Sequence, residues 1–196
     1  MDLKWAEHVL DGDESLVRCL TTRLNGLKII GKVAPFKTKK MLADGIFMSK
    51  VIYLIPLWGG CEKYLIRSLQ VIQNKAARAV TKLDWSTSSH VLLSQCGWLS
   101  VHQLVVYHTV VLVHKVLLSG TPKHLFNLFN EDYNVKTRLD DQKLLKPEQT
   151  KAPKNDLAMD SFRDYNLLPL AIRSTSPILK FKRLVKTWIS ENIPLA

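Results

Sequence analysis

Apolar residues recur every three or four positions along most of the chain, a spacing that places them on one side of an α-helix. Glycine and proline divide this pattern into segments, because both residues commonly follow the end of a helix. In the first segment Leu16, Leu20, Leu24 and Leu27 form one apolar stripe. The pattern predicts an all-α fold with helices at residues 14–30, 37–55, 62–83, 88–95, 101–118 and 177–191.

A polar stretch interrupts the helical pattern at residues 130–160. It has few large apolar side chains and many charged, proline and glutamine residues, a composition typical of a linker or a long exposed loop. Apolar residues return at Phe162 and continue into the last predicted helix. The predicted organisation is a helical bundle at residues 1–83, a second helical region at 84–130, a polar linker at 131–160 and a C-terminal helical tail at 161–196.

The predicted helix at residues 62–83 separates apolar and basic residues most clearly. At about 100° per residue, its bases fall within an arc of about 120° that runs for about 30 Å along the helix. Those bases are Lys63, Arg67, Lys75, Arg78 and Lys82. The opposite side holds Leu65, Leu69, Ile72, Ala76, Val80 and Leu83. We expect the apolar side to pack into the bundle and the basic side to face a polyanion.

The charge balance supports a polyanionic partner. The chain has 28 Lys and Arg residues against 17 Asp and Glu residues, and its net charge is +11. No acid lies between Glu14 and Asp44, and the second predicted helix begins with a basic cluster, Lys37, Lys39 and Lys40. Nucleic acid is the first partner that such a charge favours. Two alternatives stay open: an ordinary solvated helix face, and a basic helix that lies on an anionic membrane.

Patterns of catalytic or metal-binding residues are missing from the sequence. Cys19, Cys61 and Cys96 contain no Cys-x-x-Cys pair, so neither a zinc site nor a disulfide framework is expected. The adjacent acids Asp140 and Asp141 lie in the polar linker, which would not hold a metal pair rigidly. Three histidines recur every six residues and would lie on three different faces of one helix: His102, His108 and His114. The chain on its own is predicted not to be an enzyme and to bind no cofactor.

The location predicted from the sequence is intracellular, either nuclear or cytoplasmic. Cysteine usage is typical of a reducing compartment, and residues 1–9 contain acids rather than the apolar run of a signal peptide. Residues 104–118 are strongly apolar, but His108, His114 and Lys115 interrupt them. We therefore interpret this stretch as a buried helix and not as a membrane span.

Several short motifs follow one another along the chain. The most specific is residues 69–78, which fits the pattern L-Q-x-x-Q-N-K-A-x-R. Others are residues 2–9, 55–59 (I-P-L-W-G), 98–101 (W-L-S-V), 119–125 (S-G-T-P-K-H-L), 161–162, 166–169 (N-L-L-P), 172–173 and 181–182. In their order and spacing they resemble the C-terminal part of reverse transcriptases from non-LTR (LINE-type, Jockey/CR1-like) retrotransposons.

The resemblance implies that the first helical region is a thumb, which grips the template–primer duplex. The catalytic palm, with its Asp-Asp strand and bound magnesium, would lie upstream and is not in this sequence. By resemblance the chain is thus a nucleic-acid-gripping fragment of an RNA-directed DNA polymerase, without polymerase activity of its own and without a small-molecule substrate. The segment between residues 162 and 166 is also several residues shorter than in the family.

The expected partner is an RNA–DNA or DNA duplex bound through its phosphates, without sequence readout. We expect Arg67, Lys75, Arg78 and Lys82 to contact phosphates and Lys63 to flank them. The second cluster of candidate contacts consists of Lys37, Lys39 and Lys40. The alternatives are a helical protein–protein interaction module and an unselected fragment with no retained activity.

Overall fold

The computed structural model describes residues 15–60, 63–129, 132–137, 140–145 and 157–194. The predicted all-α character is confirmed, since helices form nearly all the elements of the described residues and two short strands are the exception. The chain forms two compact units, with the division after Leu104, and each unit is described by itself. The predicted boundaries after residues 83, 130 and 160 stay predictions. The motif at residues 2–9 and most of the second half of the predicted linker lie outside the described residues.

The first unit contains six α-helices within its described residues. They are α1 (Leu16–Ile30), α2 (Phe36–Leu42), α3 (Ser49–Ile52), α4 (Ile55–Trp58), α5 (Lys63–Thr81) and α6 (Ser89–Cys96). A short π-helical segment, Ala43–Met48, joins α2 to α3. The predicted helix at residues 37–55 is not continuous. It is interrupted between α3 and α4, where Leu54 has a positive φ of 50°. The break precedes Pro56, which has no amide hydrogen to continue a helix and instead lies in the first turn of α4.

Helix α1 follows its sequence pattern closely. The Ser15 hydroxyl caps it by accepting a hydrogen bond of 3.2 Å from the Arg18 amide. The predicted stripe of four leucines is buried, and the helix ends at Gly31. A Cβ atom on Gly31 would lie 2.9 Å from the Leu27 carbonyl oxygen and 3.2 Å from that of Ala79. Glycine thus allows the end of α1 to approach α5 closely.

Helix α5 packs against α1 and α6. Its predicted apolar side is buried as far as Val80. The helix ends at Thr81, because Lys82 adopts a left-handed conformation with φ 58°. Lys82 and Leu83 therefore lie beyond the helix, and the regular turn of about 100° per residue does not extend to them.

The division between the two units falls inside a helix, after its first turn. This helix, α7 (Val101–Ser119), is capped by Ser100 and Gln103, whose side chains each accept a hydrogen bond from the other's amide, at 3.2 and 3.0 Å. Helix α7 is long and apolar enough to cross a membrane by length and composition, and 56% of its most apolar window is buried inside the protein. A buried core helix meets the same criteria.

The remaining elements of the second unit are short except for the last. They are α8 (Lys123–Phe129), β1 (Asp132–Thr137), β2 (Asp140–Leu145), α9 (Leu157–Asn166), α10 (Leu170–Arg173) and α11 (Ile178–Asn192). The two strands pair antiparallel, with Asp132 opposite Leu145 and Thr137 opposite Asp140. This hairpin lies where the sequence predicts a linker, and the hydrophobic pattern did not indicate it.

Candidate nucleic-acid interface

A network of buried amide side chains fixes the orientation of α5. The Gln70 Nε2 donates to Gln73 Oε1 and to Asn74 Oδ1, both at 2.9 Å. The Gln70 Oε1 accepts a 2.8 Å hydrogen bond from the Val101 amide, and Gln73 Nε2 donates to the Leu99 carbonyl at 2.9 Å. The segment before α7 is therefore held against α5 by hydrogen bonds to its backbone.

The same network reaches the start of α6. Asn74 donates from Nδ2 to the Ser89 hydroxyl at 3.0 Å. Gln70 and Gln73 have only 8% and 0% of their surface exposed. The motif residues Gln70, Gln73 and Asn74 thus have a structural role in this protein, and their side of α5 is covered. The side of α5 that remains exposed is the one that carries Arg67 and Lys75.

We call Lys63, Arg67 and Lys75 the α5 basic face, because all three are exposed on this helix. The face is not purely cationic. Tyr64 and Val71, which share it, are 57% and 51% exposed. The described residues contain no ion pair between an acid and one of the three bases. The bases are therefore open to an anionic partner.

Arg78 is held by the chain that follows α5. Its guanidinium carbon lies 4.7 Å from the centroid of the Trp85 ring. One terminal nitrogen, NH2, donates to the Thr87 carbonyl at 3.3 Å and lies 3.5 Å from that of Trp85. The Nε atom is buried and has no hydrogen-bond partner. Arg78 is thus half-buried and oriented, unlike the freely exposed bases of the α5 basic face.

Arg78 and Lys82 do not continue the α5 basic face but line a separate opening. This basic cleft is a shallow depression that is widely open to solvent, with a volume of about 390 Å³, and it is lined by Lys28, Gly31, Lys32, Arg78, Ala79 and Lys82. Four of the six lining residues are bases and none is an acid. Lys28 and Lys32 were not among the predicted contacts. The signal that could have found them is the acid-free run between Glu14 and Asp44, in which both lie.

The second predicted cluster is divided by the structure. Lys37 is exposed. Lys39 has only 5% of its surface exposed, and burial together with the nearby charge of Lys82 lowers its pKa. Lys40 forms an ion pair with Asp44 at 2.8 Å. These three lysines therefore do not present one common cationic surface.

Metal ligands and cysteine thiols are the remaining kinds of chemically active group among the described residues. No group of three His, Cys, Asp or Glu side chains among them could hold a metal ion. Burial raises the pKa of the Cys96 thiol to about 11, which keeps it in the unreactive protonated form at neutral pH.

Comparison with family models, curated proteins and solved structures finds no match to this chain.

Proposed function

We propose that this chain binds the phosphate backbone of an RNA–DNA or DNA duplex. The observation that carries the proposal is the α5 basic face: three exposed bases on one helix whose other sides are covered. The amide network beneath them prevents α5 from rotating, so the bases keep their places. Successive phosphates of a duplex lie a few ångströms apart, and one helix face can contact several of them.

The mechanism is backbone neutralisation. Lysine and arginine side chains replace condensed counterions on the phosphates, and the release of those counterions favours binding. Such contacts position a duplex without reading its bases. The partner is therefore recognised by charge and by the shape of its backbone, as expected for a hybrid with A-like geometry.

The source that we propose for these residues is a retrotransposon RNA-directed DNA polymerase, in the region that follows its palm. The motifs at residues 55–59, 69–78, 98–101 and 166–169 support it by their order and spacing. Gln70 and Gln73 of the most specific motif reach the backbone around the W-L-S-V motif through 2.8 and 2.9 Å hydrogen bonds. The two motifs are therefore in direct contact in this protein.

The test is a salt titration of binding to a fluorescently labelled blunt RNA–DNA hybrid, followed by anisotropy. We expect weak affinity with a steep dependence on salt. The double variant Arg67→Gln/Lys75→Gln should reduce the log–log slope by about 2, since each lost phosphate contact removes about 0.9. The control is Lys115→Gln/Lys180→Gln, which removes the same charge from exposed positions in the second unit.

An equal loss in both double variants would show that net charge, and not the α5 basic face, governs binding. Absence of binding at low salt would contradict the proposed function altogether.

A second candidate function, a helical protein-binding module, is favoured by exposed apolar residues near the end of α1. Ile29 is 69% exposed, Val33 92% and Phe36 44%. Such a group of neighbouring apolar side chains is typical of an interaction surface. This candidate would replace the first if the hybrid does not bind and if Ile29→Ser/Val33→Ser abolishes a concentration-dependent association in sedimentation velocity.

A further inference from the structure

The basic cleft forms where two helices end side by side. Gly31 follows α1 and Lys82 follows α5, and the Gly31 Cα lies close enough to Ala79 that a Cβ would be 3.2 Å from its carbonyl oxygen. The close approach brings Lys28 and Lys32 of one segment beside Arg78 and Lys82 of the other. The cleft is thus built by tertiary packing and not by one helix face.

Helix dipoles account for only part of this cluster. Lys28 and Arg78 lie in the last turns of α1 and α5, where a base stabilises the helix. Lys32 and Lys82 lie beyond the helices. Four like charges that line one cleft repel one another. An anion in the cleft would relieve that repulsion, and phosphate is an anion that Lys and Arg side chains bind through charge-assisted hydrogen bonds.

An aromatic side chain adjoins the cleft through Arg78. Arg78 is one of the residues that line the cleft, and its guanidinium carbon lies 4.7 Å from the ring centroid of Trp85, which is 74% exposed. A large exposed indole is a stacking surface for a nucleobase, and stacking of this kind tolerates any base. Arg78 holds the indole from one side and leaves most of its surface accessible.

We propose that the basic cleft binds the phosphate of an unpaired nucleotide whose base stacks on Trp85. The inference rests on the proposed function and adds to it a site for a single-stranded end beside the duplex. A base inside a duplex is already stacked on its neighbours, whereas an unpaired base is free to stack on an aromatic side chain.

The experiment compares two labelled RNA–DNA hybrids of the same paired sequence, one blunt and one with a short single-stranded overhang. We expect the overhang to tighten binding at least about fivefold, the lower range for one stacked base. Trp85→Ala should remove this advantage and leave the affinity for the blunt hybrid unchanged, and Trp85→Phe should keep most of it. The double variant Lys28→Gln/Lys32→Gln should reduce the overhang advantage more than the control Lys115→Gln/Lys180→Gln does.

Equal affinity for both hybrids would overturn the inference while the proposed duplex binding stands. An overhang advantage that survives in Trp85→Ala would also overturn it. Added inorganic phosphate should compete for the cleft, so the inference also fails if phosphate reduces the overhang advantage no more than chloride does at the same ionic strength. Failure of both hybrids to bind would contradict the proposed function and the inference together.

Discussion

Two helices of 19 residues, α5 and α7, differ in how much of their surface is exposed and in which residues form it. In α5 the side chains of Gln70 and Gln73 are buried, and the three bases of the α5 basic face are exposed. In α7 the apolar residues extend around most of the helix, and Gln103, Thr109 and His114 are buried among them. Helices of equal length thus have different surroundings: α5 leaves a basic side exposed, which we propose as the binding surface, and α7 is largely buried.

The two helices bond their buried amide and imidazole side chains to different kinds of partner, while Arg78 Nε in α5 and Thr109 Oγ1 in α7 have no hydrogen-bond partner among the described residues. In α5, Gln70 and Gln73 bond to backbone groups of residues 99 and 101. In α7, the His114 ring is parallel to the Phe181 ring at 3.5 Å, with Nδ1 3.0 Å from the Tyr165 hydroxyl and Nε2 3.0 Å from the Thr175 carbonyl. Because a carbonyl only accepts, Nε2 carries the proton, and Tyr165 donates to Nδ1. Neutral His114 thus joins three segments.

The largest effect on stability is expected for His114→Ala. The substitution removes the ring packed on Phe181 and leaves the Tyr165 hydroxyl and the Thr175 carbonyl without their partner. We expect the free energy of unfolding to fall by about 3 kcal/mol or more, measured by urea denaturation. His102→Ala, an exposed histidine of the same helix, is the control and should change stability by less than about 0.5 kcal/mol.

Gln73→Ala should have the next largest effect. The buried Leu99 carbonyl loses its side-chain donor, and Gln70 loses one of its acceptors, which costs about 1–3 kcal/mol. The measurement is the same urea denaturation, with Gln95→Ala on an exposed position as the control. If both variants are equally stable, the amide network does not support α5, and the contrast between the two helices fails.

The pH dependence of stability should distinguish the two helices further. Burial lowers the pKa of His114 below its usual 6.5, against the opposing hydrogen bond to Thr175. The unfolded chain then binds the proton at a higher pH than the folded chain does. The stability from neutral His114 is therefore complete above pH 6.5 and decreases as pH falls through 6.5 toward the lowered pKa. Burial also lowers the pKa of His108, with Lys182 and Lys115 contributing, and its effect has the same sign.

We expect His114→Gln to be less stable than the parent at pH 7 and to lose less stability between pH 7 and pH 5. Urea denaturation at the two pH values measures both differences. An unchanged pH dependence would show that His108 or another group carries it.

The smallest effect on stability is expected for the double variant of the α5 basic face, which should have a large effect on binding. Arg67→Gln/Lys75→Gln should change the free energy of unfolding by less than about 0.5 kcal/mol, because both side chains are exposed. The same variant should weaken hybrid binding, as measured in the salt titration above. A substantial loss of stability would show that these bases support the fold, and α5 would then resemble α7 more closely.

Periodicity predicted the elements well where one face is apolar. The leucine stripe of α1 and the buried side of α5 are both where the sequence pattern places them. The prediction was wrong at Lys82. The projection assumes a regular helix as far as residue 83, whereas Lys82 adopts a left-handed conformation that ends the helix at Thr81. It also missed the burial of Gln70 and Gln73, because polar side chains are expected outside unless a partner for them is known.

The amino-acid sequence alone determines which residues are apolar at helical spacing, and this spacing predicts where the main helices lie. The excess of positive charge also follows directly from the sequence. These are local properties, since each depends on residues within a few turns of one another. Which bases share a surface depends on how the helices meet. Lys28 and Arg78 are 50 positions apart, and they line one cleft because Gly31 lets α1 approach the backbone of α5. A contact of that kind exists only after the chain has packed, because its free energy comes from atoms distant in sequence.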